Sequence, residues 1–343
     1  MKTIGITTTV PIEILLSAGY QPVDMNNIFI NDADPEHLVN IAERDGFPLN
    51  CCSWIKGIYG SCLEYGIDTV LCVTNGDCSN TGMLMEVLEL KGIKTIPFAF
   101  PEKPSPKQVQ LVLEVLAEIM GTTMAAAGKV RDNLKLCRDL AGEMDWLTWK
   151  EGVVSGLENH MWLVSASDFN GDPAEYRREL EELMIICRKR QPYPAGYLRL
   201  AYIGVPPVYA REFYPHLEKH GSRVVFNEIQ RQFAMPRPGE SFAEQYANYT
   251  YPYSTKERLK DITGEIKRRR VDGIIHYVQA FCHRGIGDII FREAIDLPIL
   301  TLEGNDDFYL NQHIKTRVEA FLDMLERRQQ SSKYNQRILA KNN

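Results

Sequence analysis

The sequence predicts an α/β fold made of two doubly wound parallel-sheet units joined by a helical segment. Short apolar runs alternate with amphipathic segments in residues 1–100 and again in 197–330, while residues 101–196 carry 3.6-residue periodicity throughout. Cys78 and Cys282 each fall just past an apolar run that reads as a buried parallel strand handing over to a helix. These features divide the chain into an N-terminal α/β domain at 1–100, a helical connector at 101–196, a C-terminal α/β domain at 197–330 and a polar tail at 331–343.

In the first unit, residues 2–8 are expected to form a strand. Residues 11–18 form a helix with proline at its start and Gly19 after its end. A second strand is placed at 27–30, followed by a helix opened by Asp34-Pro35-Glu36. Residues 48–52 then form a loop before a helix at 54–65 that stops at Gly66. A strand at 69–73, a turn carrying Cys78, a helix at 81–90 and a strand at 95–98 complete the unit. In the connector, VQLVLEVLAEIMG, AAAGKVRDNLKLCRDLAGEM and AEYRRELEELMIICRKR read as helices, and the Pro192–Gly196 cluster punctuates the chain. The second unit has strands at 198–203, 222–226, 273–279 and 297–302. Helices are expected up to His220, at 258–270 and at 316–327, with an irregular stretch at 234–253 and a fraying end beyond Arg328.

With 343 residues and 44% apolar content the chain can bury more than one core. Its net charge is -6, and its cations are dispersed apart from Arg188-Lys189-Arg190 and Lys267–Arg270, read as solvated helix ends. This argues against nucleic acid as a partner. No leader-like or membrane-length apolar stretch is present in the sequence, so a cytoplasmic protein without membrane association is expected.

Eight cysteines in a reducing compartment are expected to be core residues, ligands or nucleophiles rather than disulfides. Cys62, Cys72, Cys137 and Cys187 fall inside helix or strand patterns and read as inert core. Cys51, Cys52, Cys78 and Cys282 remain, in loops or at strand ends. Three strand-end thiols, Cys52, Cys78 and Cys282, facing one crevice point to a metal site of the kind a doubly wound fold assembles from distant loops. No CxxC pair strengthens this. Cys51 and Cys52 are adjacent and point in different directions, so one of them binds. Cys52 is the candidate because it leads directly into a helix N-terminus.

Other motifs carry less. Gly285-x-Gly287 lacks the third glycine of a dinucleotide fingerprint, and there is no Walker A sequence, so the chain is not expected to hydrolyse ATP itself. His283 is either a proton donor or a solvent-facing loop residue, and His276 reads as a hydrogen-bonded core residue. Glu303 and Asp306 are either an acid/base pair or capping acids.

Several segments together resemble the 2-hydroxyacyl-CoA dehydratase family: PIEIL at 11–15, Cys52-Ser-x-x-Lys56 leading to Gly60, and Cys78 after TVLCVT. VDGIIHYVQAFC at 271–282, LPILTLEGN at 297–305 and KTRVEAFLDML at 315–325 continue it in collinear order. That family includes the 2-hydroxyglutaryl-CoA dehydratase D-component, benzoyl-CoA reductase subunits and double-cubane cluster proteins. The resemblance implies two Rossmann-like domains holding an oxygen-sensitive [4Fe-4S] cluster through Cys52, Cys78 and Cys282, with the fourth iron open to water, sulfide or substrate. It also implies an ATP-dependent iron–sulfur activator protein that injects a low-potential electron. In dehydratases the electron forms a ketyl radical on an acyl-CoA thioester and is recovered; in the reductase relatives it is consumed. Related subunits pair, so a homodimer or heterodimer is implied. Double-cubane relatives use further cysteines, whereas residues 7–11 contain none and Tyr253 stands where some relatives have one, so a single cubane is expected. The alternatives are an electron-transfer or scaffold protein without an acyl-CoA site, a double-cubane-type reductase of small molecules, and a metal-free α/β binding protein. The resemblance assigns no catalytic residue.

Overall fold

The computed structural model describes residues 2–305 and 307–341, with side chains described through residue 331. The chain runs through β1 (Lys2–Ile6), α1 (Ile12–Ser17), β2 (Tyr20–Asp24), α2 (Met25–Asn31) and α3 (Pro35–Arg44). It continues with α4 (Ser53–Glu64), β3 (Thr69–Asn75), α5 (Thr81–Leu90) and β4 (Lys94–Ala99). Four helices follow: α6 (Pro106–Met120), α7 (Met124–Trp146), α8 (Gly156–Val164) and α9 (Pro173–Cys187). Then come β5 (Leu198–Gly204), α10 (Ala210–Lys219), β6 (Ser222–Asn227), α11 (Glu228–Phe233), α12 (Phe242–Asn248) and α13 (Thr255–Arg268). The last elements are β7 (Gly273–Gln279), α14 (Asp288–Ala294), β8 (Ile299–Gly304) and α15 (Gln312–Lys341).

The strands form two four-stranded, all-parallel sheets, ordered β2-β1-β3-β4 and β6-β5-β7-β8. The α/β architecture with two parallel-sheet domains is therefore as the periodicity indicates. In each sheet the strand order reverses direction between its first and third strands, which opens a crevice at their carboxyl ends. Helices cover both faces, as the near-continuous apolar strands require. Ile4, Ile6 and Phe98 pack against Leu113, Leu134 and Leu163 of the connector helices, and Val70 and Cys72 pack against Ile55, Ile58 and Leu84. The second sheet is likewise divided between two clusters, one around Phe213 and Phe321 and the other around Ile262 and Phe291.

Several boundaries differ from the periodicity. The second strand is β2 at Tyr20–Asp24, and the expected strand at 27–30 lies inside α2. Asp24 decides this locally, because its Oδ1 accepts the Asn26 N–H at 2.9 Å and caps the helix. Pro22 is tolerated because β2 is an edge strand. Within the stretch read as irregular, Ser241 and Glu244 form a reciprocal capping box that starts α12. Helix α15 runs on to Lys341, past the expected end at 327.

Helix α4 is buried along residues 53–62, and Gly60 explains how closely it lies against α3. A Cβ there would stand 2.0 Å from the Leu38 carbonyl oxygen. The run Lys267–Arg270 also departs from expectation, since Arg269 is fully buried rather than solvated. Its guanidinium meets Asp145 of α7 at 2.5 and 2.8 Å, Glu265 at 2.7 Å and the Val225 carbonyl at 2.7 Å. Burial alone would disfavour the Asp145 carboxylate, but Arg269 and Arg231 hold it below its ordinary range. A second buried carboxylate, Glu13, accepts from Arg138 at 2.7 Å, Gln245 at 2.9 Å and Tyr246 at 2.7 Å, joining α1, α7 and α12.

Removing one partner of such a network strands the other charge in the interior. Asp145→Ala should cost about 3 kcal/mol or more in urea unfolding, whereas Asp139→Ala, in an exposed pair with Lys135, should change stability by about 0.5 kcal/mol or less.

Candidate functional site

The two crevices lie on a common cavity. Thr8 follows β1, Cys78 follows β3, Val205 follows β5 and Cys282 follows β7, and all four line one space of about 90 Å³ together with Cys52. A single water needs roughly 10–15 Å³ by such a measure, so a compact polyatomic group has room. The three thiols singled out by sequence therefore converge, although they are separated by up to 230 residues in the chain; Cys78 and Cys282 follow strands as expected, whereas Cys52 follows helix α3 rather than a strand.

Each thiol is aimed by a local device. Cys52 is the N-cap residue of α4, and the Trp54 and Ile55 N–H groups lie beside its sulfur. The loop before it is pinned by Lys56, whose fully buried ammonium donates to Glu43 at 2.6 Å and to the Leu49 carbonyl at 3.1 Å. Cys78 accepts the Asn80 N–H at 3.4 Å. Its loop leaves β3 through Gly76 at φ +104, where a Cβ would lie 2.7 Å from Pro252; glycine answers both demands. Cys282 follows Phe281, a non-glycine residue held at φ +62 and largely exposed. This is backbone strain at a strand end, a feature that clusters at functional sites.

Further hydrogen bonds tie the loops to one another. Ser53 Oγ donates to the Asn305 carbonyl at 2.5 Å, and Gln279 Nε2 donates to both Ser53 Oγ at 2.8 Å and that carbonyl at 3.0 Å. Arg284 donates to the carbonyls of Gly76 at 2.8 Å and Tyr251 at 3.0 Å, and its guanidinium lies 4.6 Å from the Tyr251 ring centroid. Tyr251 in turn donates to Asp77 at 2.5 Å. Sequence reasoning missed Ser53, Asp77, Gln279 and Arg284, although each is within three residues of a singled-out cysteine. Adjacency to a singled-out loop cysteine is the signal that finds them.

The remaining candidates separate cleanly. Cys51 is half-buried, packs with the core beneath α4 and is not a wall of the cavity. Cys62, Cys72, Cys137 and Cys187 are buried. His276 is a core residue whose Nδ1 lies 2.6 Å from Asp288, while His283 and Glu303 are exposed. Asp306 lies outside the described residues. Tyr253 is buried and donates to the Tyr246 carbonyl at 2.9 Å.

Electrostatically the cavity favours neutral groups. Burial pushes the Cys52 and Cys78 thiols up to about 12, against the help of the neighbouring N–H groups. Burial likewise raises Asp77, with Arg284 opposing. A larger groove of about 860 Å³ opens among α7, α13 and the stretch before α12, but no thiol lines it. Several of its charges are engaged with one another, as in Arg231–Asp261 and Arg268–Glu265. Chemistry therefore points to the smaller cavity.

The family model for the 2-hydroxyglutaryl-CoA dehydratase D-component matches residues 7–325. The chain belongs to that family. It is a 2-hydroxyacyl-CoA dehydratase-type component, and all of the cavity-lining thiols fall within the matched span. No curated protein sequence matches it significantly. Among the described residues no single helix is long and apolar enough to cross a membrane.

One carboxyl pair beside the cavity makes a pH signature of this family member. Asp24, a wall residue, donates its N–H to Asp168 Oδ2 at 2.7 Å; burial and then the Asp24 charge push Asp168 up to about 7. Burial also raises Asp24. The folded state thus holds a proton that the unfolded chain releases near pH 4. This contribution to stability is full below about pH 4, falls as pH rises toward about 7 and is flat above. Asp168→Asn should flatten that slope, measured as Tm against pH for both proteins; parallel profiles would assign the slope elsewhere.

Proposed function

We propose that Cys52, Cys78 and Cys282 hold a [4Fe-4S] cluster and that the chain is the iron–sulfur component of an ATP-activated radical dehydratase or low-potential reductase. The observation that carries this reading is the convergence of three thiols, each from a separate loop, on one cavity in a member of this family. The donor set fits. Thiolates are the usual protein ligands of iron–sulfur clusters, all three cysteines are free, and backbone N–H groups face two of the sulfurs. When bound, such a cluster supplies a low-potential electron and, at an iron without a protein ligand, a Lewis-acid position for a carbonyl oxygen.

The chain's own residues prepare the site for that group. Because Cys52 and Cys78 are protonated when metal-free, loading releases protons and weakens at low pH. Trp54, Ile55, Val205 and Phe233 present apolar walls that exclude water, while Asn26, Asn27 and Asp77 offer polar groups for orienting a substrate. Arg284 sets a fixed positive charge beside the thiols and locks the Cys282 loop to the Cys78 loop. An acyl-CoA substrate, an ATP-dependent iron–sulfur activator and a homodimeric or heterodimeric assembly with a related subunit belong to the same proposal. Exposed Phe281, Ile286, Ile289 and Ile290, on the Cys282 loop and the helix after it, support a protein partner on that side.

The decisive experiment is iron content after anaerobic purification. The native chain should carry about four iron. Cys52→Ser, Cys78→Ser and Cys282→Ser should each lose nearly all of it, and Cys51→Ser, Cys62→Ser, Cys137→Ser and Cys187→Ser should retain it. Zinc in place of iron would remove the cluster reading, and loss in Cys51→Ser with retention in Cys52→Ser would shift the ligand register by one residue. A cluster whose reduction by an activator protein is insensitive to every acyl-CoA would mark an electron-transfer role instead.

A further inference from the structure

Helix α10 carries His216 in its last turn and is capped by His220 four residues later, a spacing that puts both imidazoles on one face. Their ring centroids are 4.4 Å apart. The terminal helix α15 brings Glu319 to the same face, with Oε1 3.3 Å from His216 Nε2 and 3.8 Å from His220 Nε2. All three candidate donor atoms lie within 4.8 Å of one another. Bonds of about 2.0–2.1 Å to a tetrahedral ion set ligand atoms about 3.3 Å apart, so modest adjustment closes this set around one ion.

Two details favour an ion over a simple pair. His220 Nδ1 is 2.8 Å from the His216 carbonyl, which assigns the proton to Nδ1 and leaves the Nε2 lone pair on the Glu319 side. His216 Nε2 is buried and makes no hydrogen bond, although Glu319 is near enough to accept one. A buried polar nitrogen aimed at a carboxylate without bonding to it lacks a partner. Lys219 and Lys315 are close enough to oppose a cation, which counts against hard ions held by charge alone. Imidazole donors instead suit zinc-class metals.

We propose that His216, His220 and Glu319 form a binding site for a divalent transition metal of the zinc class, which ties α15 to α10. Two histidines and a glutamate supply three ligands and leave a fourth position for water. None of the three residues lines the thiol cavity, so the site stands independently of the cluster reading. The terminal helix already buries Val318, Phe321 and Leu322 against the second sheet, and the ion would add a cross-link on its partly exposed edge.

Cobalt(II) titration of the anaerobically purified full chain tests the site. One equivalent should bind with d–d bands typical of nitrogen and oxygen donors and without sulfur charge-transfer absorption, and zinc should displace it. Loss of an outer-shell contact alone costs about 10–100-fold in metal affinity, so His216→Ala and Glu319→Gln should each weaken binding by at least about a hundredfold. Zinc should also raise Tm in the native chain and leave Glu319→Gln, an isosteric change on a partly exposed side chain, unmoved. Absence of saturable cobalt binding would reduce the cluster to an ion pair and overturn the proposal. So would binding that survives both substitutions, or binding that carries sulfur charge-transfer bands.

Discussion

The cavity is closed where the Ser53 hydroxyl is held between the Gln279 amide and the Asn305 carbonyl. Ser53 neighbours Cys52 and belongs to the first sheet's unit, while Gln279 and Asn305 stand at the ends of β7 and just beyond β8 in the second. No single sheet contains a complete set of thiols: Cys52 and Cys78 come from one and Cys282 from the other. Any relative motion of the two units would separate the thiols; the junction at Ser53, the Arg284 contact with Gly76 and the Tyr251–Asp77 hydrogen bond hold the cavity-lining loops together.

The rest of the interior maintains that docking with buried charge. Glu13 gathers donors from the connector and from α12, and Arg269 gathers acceptors from α7 and α13. Each is a poor bargain in free energy compared with apolar packing, yet each tolerates only one arrangement of its partners, because leaving a buried charge unpaired is far costlier than forming the pair. Here those pairs join α1 of the first unit to α7 and α12, and α7 to α13 of the second unit.

Both sheets share the order second-first-third-fourth, and in both the cysteine follows the third strand. The repetition gives the site its form. Each third strand borders its sheet's crevice, so placing the two crevices against one another brings Cys78 and Cys282 together. Cys52 enters differently, from the N-terminus of a buried helix whose close approach to α3 depends on Gly60. Strain at Phe281 marks a strand end where a non-glycine residue takes a positive φ.

The amino-acid order by itself determined the two α/β units, the helical stretch between them and the three candidate thiols in loops, because apolar-run and 3.6-residue patterns and loop residues are local signals. It was misleading at residues 20–31, where a short apolar run is compatible with either strand or helix and the Asp24 cap decides. It also missed α12, whose Ser241–Glu244 capping box was present but short. Tertiary structure alone decided that Arg269 is interior and that Ser53, Asp77, Gln279 and Arg284 knit the loops together. It alone brought Glu319 to the His216–His220 face. These are contacts between residues distant in the chain, and they exist only once packing has fixed the distances that periodicity leaves free.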